Sequence, residues 1–181
     1  MAALDAWCPA QPLTTERLEL QPLRSDDADE MAPLLGDLRL HAFIGGTSET
    51  REQLRARFER QVEGRSPNRS ERWFNWIVRL LDNSVAVGLM QATVRQQNCL
   101  LVGEVAWVIG VEYQGHGYAG EAAQAMVAWL EQQGLDVVIA HIHPQHMASS
   151  SVARVIGLAP TSAFVDGEVR WERSIHDLPK N

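Results

Sequence analysis

A chain of 181 residues, 45% of them hydrophobic and 22% charged, carries enough apolar material for the core of one domain and needs no second. A formal net charge of −7, without any long Lys or Arg run, argues against a nucleic-acid groove and an anionic membrane surface and favours basic partners. Apolar runs fall far short of a bilayer span, no signal-peptide pattern opens the chain, and two cysteines, Cys8 and Cys99, make neither a disulfide framework nor a metal pattern, so a cytoplasmic protein is expected.

Residues 1–12 read as a loose leader and 13–181 as the folded domain. Arg17, Glu19 and Gln21 alternate with Leu18, Leu20 and Pro22, as a half-buried strand requires. Ser25 is placed to cap a helix whose first turn carries Asp26, Asp27 and Asp29, with Met31, Leu34 and Leu35 before a stop at Gly36. After a break at Gly45 and Gly46, Thr47 or Ser48 is the expected cap of a second helix reaching about Glu63, with Leu54, Phe58 and Val62 at helical spacing. A polar loop over residues 64–70 leads to a strand over 73–81. Asp82, Asn83 and Ser84 then read as a hairpin turn, and strands over 85–94 and 100–109 flank a second turn near Gln96 to Asn98. No internal repeat is apparent.

The segment after residue 109 is the most informative. The apolar run Val105-Ala106-Trp107-Val108-Ile109 suits a buried strand, and Ala122, Ala123, Met126, Val127, Trp129 and Leu130 recur at helical spacing up to Gly134. Between them lie Gln114-Gly115-His116-Gly117-Tyr118-Ala119-Gly120. The glycines therefore sit at a helix N-terminus, where unpartnered N–H groups and the positive end of the macrodipole suit a phosphate. Gly115, Gly117 and Gly120 also satisfy the dinucleotide fingerprint GxGxxG. That reading lacks its acidic residue, because Asp136 precedes the next apolar run, and only about sixty residues follow the glycines.

Gln114-Gly115-His116-Gly117-Tyr118-Ala119 resembles the Q/R-x-x-G-x-G/A signature of the GNAT superfamily of N-acetyltransferases. Glu104-Val105-Ala106-Trp107-Val108-Ile109-Gly110-Val111-Glu112-Tyr113 before it is similar to the branch that acetylates ribosomal-protein N-termini, as is the opening segment from Leu13 to Ala28. The resemblance covers about Leu13 to about Ile175. It implies an α/β GNAT fold: a single domain with a mixed, mostly antiparallel sheet of six to seven strands, splayed between the fourth and fifth, and about four helices. Acetyl-CoA is the implied cosubstrate, with no metal, and a small-molecule amine or a protein N-terminus the implied acceptor, in a monomer or homodimer that binds no nucleic acid or membrane.

By the same resemblance, main-chain groups of Trp107, Val108 and Ile109 pair with the pantetheine arm, and Gln114, Gly115, His116, Gly117, Tyr118 and Ala119 hold the pyrophosphate. Glu104 is the implied proton-accepting or amine-orienting group. The family's N-x-x-S motif appears as His146-Met147-Ala148-Ser149, so His146 stands where an asparagine would bond the arm. Ser149 can either donate to the departing sulfur or cap its helix. The family's helical tyrosine falls on Ala153, which leaves a non-catalytic acyl-CoA-binding module as a rival. Glu121 is expected to order the glycine loop and Glu112 to lie on the surface. His141, His143 and His146 lack a fourth ligand for zinc, and His143 is expected to line the cleft. Trp73 and Trp76 are expected near the substrate side, with core packing as the default.

Overall fold

The computed structural model describes residues 7–40 and 49–175. Among them, eight strands form one sheet in the order β1-β2-β3-β4-β5-β6-β8-β7. These are β1 (Leu13–Thr14), β2 (Leu18–Pro22), β3 (Glu71–Leu80), β4 (Ala86–Gln97), β5 (Leu100–Ile109), β6 (Val137–Ile142), β7 (Ala159–Val165) and β8 (Glu168–Ser174). Four α-helices flank them: α1 (Ala28–Leu35), α2 (Arg51–Val62), α3 (Tyr118–Gln132) and α4 (Met147–Val155). The strand count exceeds the expected six to seven because Leu13–Thr14 pairs as a two-residue edge. With that edge set aside, the splay falls between the fourth and fifth strands, as expected.

Tight turns set the register of the central meander. Asn98 and Cys99 both adopt positive φ, 47° and 68°, the backbone of a two-residue hairpin loop whose twist matches its strands. From there β4 and β5 pair without a break, Gln97 against Leu100 through Gly88 against Ile109. Cys99 is exposed on this turn. All strand pairs are antiparallel except β5 with β6, so the doubly wound parallel sheet that a dinucleotide site requires is not formed.

Alternation along the strands sorts the side chains onto two faces. One face carries Phe74, Trp76, Val78, Met90, Val94 and Val105, packed against Ala122, Ala123, Met126, Val127 and Leu130 of α3. An aromatic group anchors it: Trp129 lies 5.1 Å from Phe74 and 5.4 Å from Trp76 between ring centroids. Trp76 is fully buried there, away from the cleft described below, so it is a core residue. Trp7 joins the same group at 5.6 Å from Phe74, and its carbonyl accepts from Arg72 Nη2. The leader is thus fastened to the sheet from Trp7 onward.

The opposite face is covered at one end by α1 and α2, whose Met31, Leu54 and Phe58 bury Ile77 and Leu89. Arg24 N–H donates to the Asp27 carboxylate at 2.7 Å, and Ser25 opens a short 3-10 turn ahead of α1 instead of capping it. Thr50 caps α2, accepting from Gln53 N–H at 3.2 Å while the Gln53 side chain accepts from Thr50 N–H at 2.8 Å. Gly45, Gly46, Thr47 and Ser48 lie outside the described residues. Away from these helices the face is polar: Asn75, Gln91 and Glu104 share it with His141, and Gln91 Nε2 donates to Asn75 Oδ1 at 3.0 Å. Among the described residues no helix is long and apolar enough to cross a membrane.

Candidate active site

The site begins where β5 and β6 part. They are in register only at Val102 with Val137, Gly103 with Val138 and Glu104 with Ile139, after which β5 runs on to Ile109 with no partner on that edge. Gly110 N–H donates to Val87 O at 2.9 Å. Antiparallel alternation therefore turns the main-chain groups of Val108 toward β4 and those of Trp107 and Ile109 toward the gap. Of the three residues expected to offer free main-chain groups there, Val108 is already paired with β4 and Ile109 O accepts from Gln114 Nε2, which leaves Trp107 and the Ile109 N–H.

Gly88, which the sequence reading missed, explains how tightly β4 braces this edge. A Cβ at Gly88 would stand 2.4 Å from Val108 O and 2.5 Å from Ile109 Cδ1. The available signal was a glycine inside an otherwise apolar strand, which often marks close backbone approach.

Past Ile109 the chain makes a 3-10 turn over Val111–Tyr113, and Gln114 Nε2 reaches back to Ile109 O at 2.9 Å. Gly115 and Gly117 then take φ of 80° and 81°, which side chains with a Cβ resist. Gly117 is the N-cap of α3, and the first main-chain bond of the helix runs from Glu121 N–H to Gly117 O at 3.2 Å. Among the described residues no acceptor takes a hydrogen bond from the N–H groups of Gly115 through Gly120. A run of open donors at the positive end of a helix of fifteen residues is a cradle for an anion.

The loop is held from outside by Arg17, a second residue the sequence reading did not single out. Its Nη1 donates to His116 O at 3.0 Å, and its guanidinium lies 4.9 Å from the centroid of the Tyr118 ring. His116 stacks on that ring at 5.4 Å and bonds Gln114 O through Nδ1 at 2.9 Å, so its side chain braces the loop and does not line the cleft. Glu121 grips Arg17 and Thr15 across the sheet rather than the nearby loop amides. Burial raises its carboxyl, but bonds from Thr15 and Arg17 outweigh that and hold it below the ordinary glutamate range. Glu112 is exposed, as expected.

The second wall is β6 and the start of α4. His146 caps α4, accepting from Ser149 N–H at 3.4 Å through Nδ1. Burial first, then the charge of His143, lowers its pKa, which favours the neutral ring that capping needs. Ser149 lines the cleft, while Ser151 donates to Met147 O at 3.0 Å along the helix. Ala153 is fully buried in the core.

These walls enclose a cleft of about 940 Å³. It gathers Glu104, Trp107, Val108, Ile109, Gln114, Gly115, Gly117, Tyr118, Ala119, His146 and Ser149, that is, every expected site residue except His116. Trp73 lies on the polar face but outside the cleft, with Nε1 donating to Glu71 at 3.1 Å. At the apex, where the strands meet, Glu104 accepts from Arg95 Nη1 at 3.0 Å and bonds His141 Nδ1 at 2.9 Å. Burial alone raises the Glu104 carboxyl, but the bonds from His141 and Arg95, and then their charge, leave it below the ordinary range. His141, His143 and His146 all line the cleft, yet no group of three or more His, Cys, Asp or Glu among the described residues is placed to hold a metal ion.

Comparison with known proteins agrees with this geometry. The profile of the Acetyltransferase (GNAT) domain matches residues 17–159. The uncharacterized N-acetyltransferase YnaD of Bacillus subtilis (strain 168) is 38% identical over 62 residues, a match spanning 34% of this chain and only 36% of that protein. Among solved structures, the RimL ribosomal L7/L12 alpha-N-protein acetyltransferase in complex with coenzyme A has a TM-score of 0.74 at 13% identity, covering 91% of this chain and 98% of that one. The ribosomal-protein-S5-alanine acetyltransferase from Vibrio fischeri has a TM-score of 0.72 at 18% identity, covering 92% and 98%. At those identities the structures speak for the fold, whereas the profile spans most of the sequence. A splayed mixed sheet, a glycine loop capping α3 and this profile converge on one conclusion: the chain belongs to the GNAT family of acetyltransferases.

Proposed function

We propose that the protein moves the acetyl group of acetyl-CoA to a primary amine, either a small molecule or a protein N-terminus, by direct attack in a ternary complex. The observation that carries this reading is the unbroken set of open N–H donors from Gly115 through Gly120, continuous with the unpartnered edge of β5. The donors suit a pyrophosphate, and the gap suits an arm whose amides pair with Trp107 and with the N–H of Ile109. Gln114 orients the loop, Tyr118 and Ala119 contribute first-turn amides, and His116 braces the backbone from outside. A cleft of about 940 Å³ is of the size that holds a cofactor together with a small acceptor, roughly 300–1,000 Å³ in surveyed sites.

The thioester would lie toward the apex, with Glu104 on the acceptor side. Its lowered pKa favours an orienting role there over direct proton acceptance. Ser149, which lines the opposite wall, would be the donor to the departing sulfur. A negative protein and a carboxylate at the apex favour a cationic amine. The likeness to an alpha-N-protein acetyltransferase and a ribosomal-protein-S5-alanine acetyltransferase makes a protein N-terminus one candidate acceptor.

One observation favours a second reading. Ala153 is sealed in the core, so α4 supplies no tyrosine to the cleft, and a module that binds acyl-CoA without turnover keeps every feature of the loop. Thiol release from acetyl-CoA, measured over a panel of amines including spermidine and peptides with free Ala or Ser N-termini, decides between them. Release that depends on one of these amines supports transfer, and saturable binding without release on any of them supports the module.

A further inference from the structure

We propose that His141 is the group that removes the proton from the acceptor amine, with Glu104 as its positioning residue, an inference that rests on the transfer reading above. His141 lies on β6 two residues beyond Ile139, the last residue in register with β5. Continuing that register would set it opposite Ala106, so it stands at the mouth of the splay on the face that carries Glu104. The imidazole lines the cleft.

The carboxylate of Glu104 is committed on both oxygens, one to Arg95 at 3.0 Å and one to His141 Nδ1 at 2.9 Å. A carboxylate so engaged is a poor direct proton acceptor but a good orienter of a ring. Its bond holds the proton on Nδ1, which leaves the lone pair of Nε2 as the available base. Among the described residues Nε2 makes no hydrogen bond. The other two histidines in the cleft use Nδ1 on main-chain amides: His143 accepts from Gln145 N–H and His146 from Ser149 N–H. His141 thus joins a carboxylate partner on Nδ1 to an Nε2 that no described residue engages. Around it stand Arg95 on β4, Glu104 on β5, His143 at the end of β6, and Arg170 on β8, whose guanidinium is held by Glu172 at 2.7 Å.

The step balances without a further reagent. The ammonium form of the acceptor gives one proton to Nε2, and the freed nitrogen bonds to the thioester carbonyl carbon. The C–S bond then breaks, the sulfur leaves as thiolate and takes up the second proton, which the attacking nitrogen sheds as it becomes an amide, and the imidazolium returns its own to solvent. Acetylated amine, free CoA thiol and one net proton result.

Two measurements on the full chain test this. With acetyl-CoA and the amine panel, His141→Gln should lower kcat by 10²–10⁴-fold, the usual range for a general base, with acetyl-CoA affinity unchanged and a residual rate that climbs with pH as the amine deprotonates unaided. Long-range ¹H–¹⁵N correlation of the wild-type imidazole, which needs no acceptor, should show the proton on Nδ1 and should lose that preference in Glu104→Ala. A purely structural Glu104 would leave the tautomer unchanged. The proposal is overturned if His141→Gln keeps the wild-type rate and pH profile on an amine the wild type accepts, or if the wild-type ring carries its proton on Nε2. In those cases acetyl transfer itself still stands. If instead the wild type binds acetyl-CoA but acetylates nothing in the panel, the transfer reading fails and takes this assignment with it. The tautomer measurement on the wild type remains decisive should His141→Gln not fold.

Discussion

Glu121 holds Arg17 through both carboxylate oxygens: Oε2 lies 2.6 Å from Nη2, and Oε1 accepts the Arg17 main-chain N–H at 2.9 Å. The two residues are 104 apart in sequence, and together they tie the strand before the first helix to the cap of α3. Arg17 passes that hold to His116 O, so the anion cradle is fixed by a residue outside the motif that announces it.

Glu121→Ala should therefore act on stability and on ligand binding together. Loss of hydrogen bonds to a charged group, discounted because Arg17 is half exposed, should cost about 1–2 kcal/mol in urea unfolding. Acetyl-CoA affinity should fall several-fold in the same variant. Because the folded pKa of Glu121 is lowered, its contribution is present above the ordinary glutamate value near 4.3 and is lost as pH falls through the lower folded value. A wild-type and variant pair compared at pH 7 and at pH 3 should show the difference shrink.

Gly115→Ala and Gly117→Ala carry a different signature. Positive φ at 80° and 81° should cost each about 1–2 kcal/mol, although an added Cβ at Gly115 meets no protein atom within 4 Å. That open space is where a pyrophosphate would rest. Calorimetry should show a loss of acetyl-CoA affinity larger than the loss of stability in both variants. Equal losses would assign the glycines to folding alone.

Gly88→Ala separates strand bracing from simple crowding. Its Cβ would meet a main-chain oxygen, Val108 O at 2.4 Å, whereas a Cβ at Gly103 would meet a side-chain methyl of Leu135 at 2.8 Å. Overpacking should destabilise each by about 1–3 kcal/mol in urea unfolding. Only Gly88→Ala should also weaken acetyl-CoA binding, because only there must the free edge of β5 shift.

His146 gives the site a response to mild acid. Burial and His143 lower its pKa, so below about pH 6.5, the ordinary imidazole value, the unfolded chain binds more protons than the folded one. Stability should be flat above about pH 7 and decline as pH falls from there through the lowered folded value. Asparagine caps helices without titrating, so His146→Asn should remove this decline below about pH 7 in thermal melts. A variant that keeps the slope would place its origin elsewhere.

Much of this was legible in the sequence because local signals agreed with the global fold. The apolar run of residues 105–109, the glycines and the period of α3 each point to the same strand, loop and helix. Two kinds of information were not local. Arg17 and Gly88 matter through partners brought to them by the sheet, and nothing in their neighbours announces Glu121 or Val108 O. Trp76 was ambiguous for the same reason, since period 2 places it opposite Trp73 in facing but does not say which face is the core. The cap of α2 was misjudged because serine and threonine at 47, 48 and 50 all fit an N-cap, and only Thr50 has a glutamine three residues on.

The central claim is that main-chain donors at the start of α3 bind the diphosphate of acetyl-CoA. Calorimetric titration of the wild type with acetyl-CoA, run beside S-acetylpantetheine, which lacks the diphosphate, tests it most directly. A saturable one-to-one heat with acetyl-CoA and at least tenfold weaker binding of S-acetylpantetheine is the predicted result. No heat with acetyl-CoA, or equal affinity for the two, would contradict it.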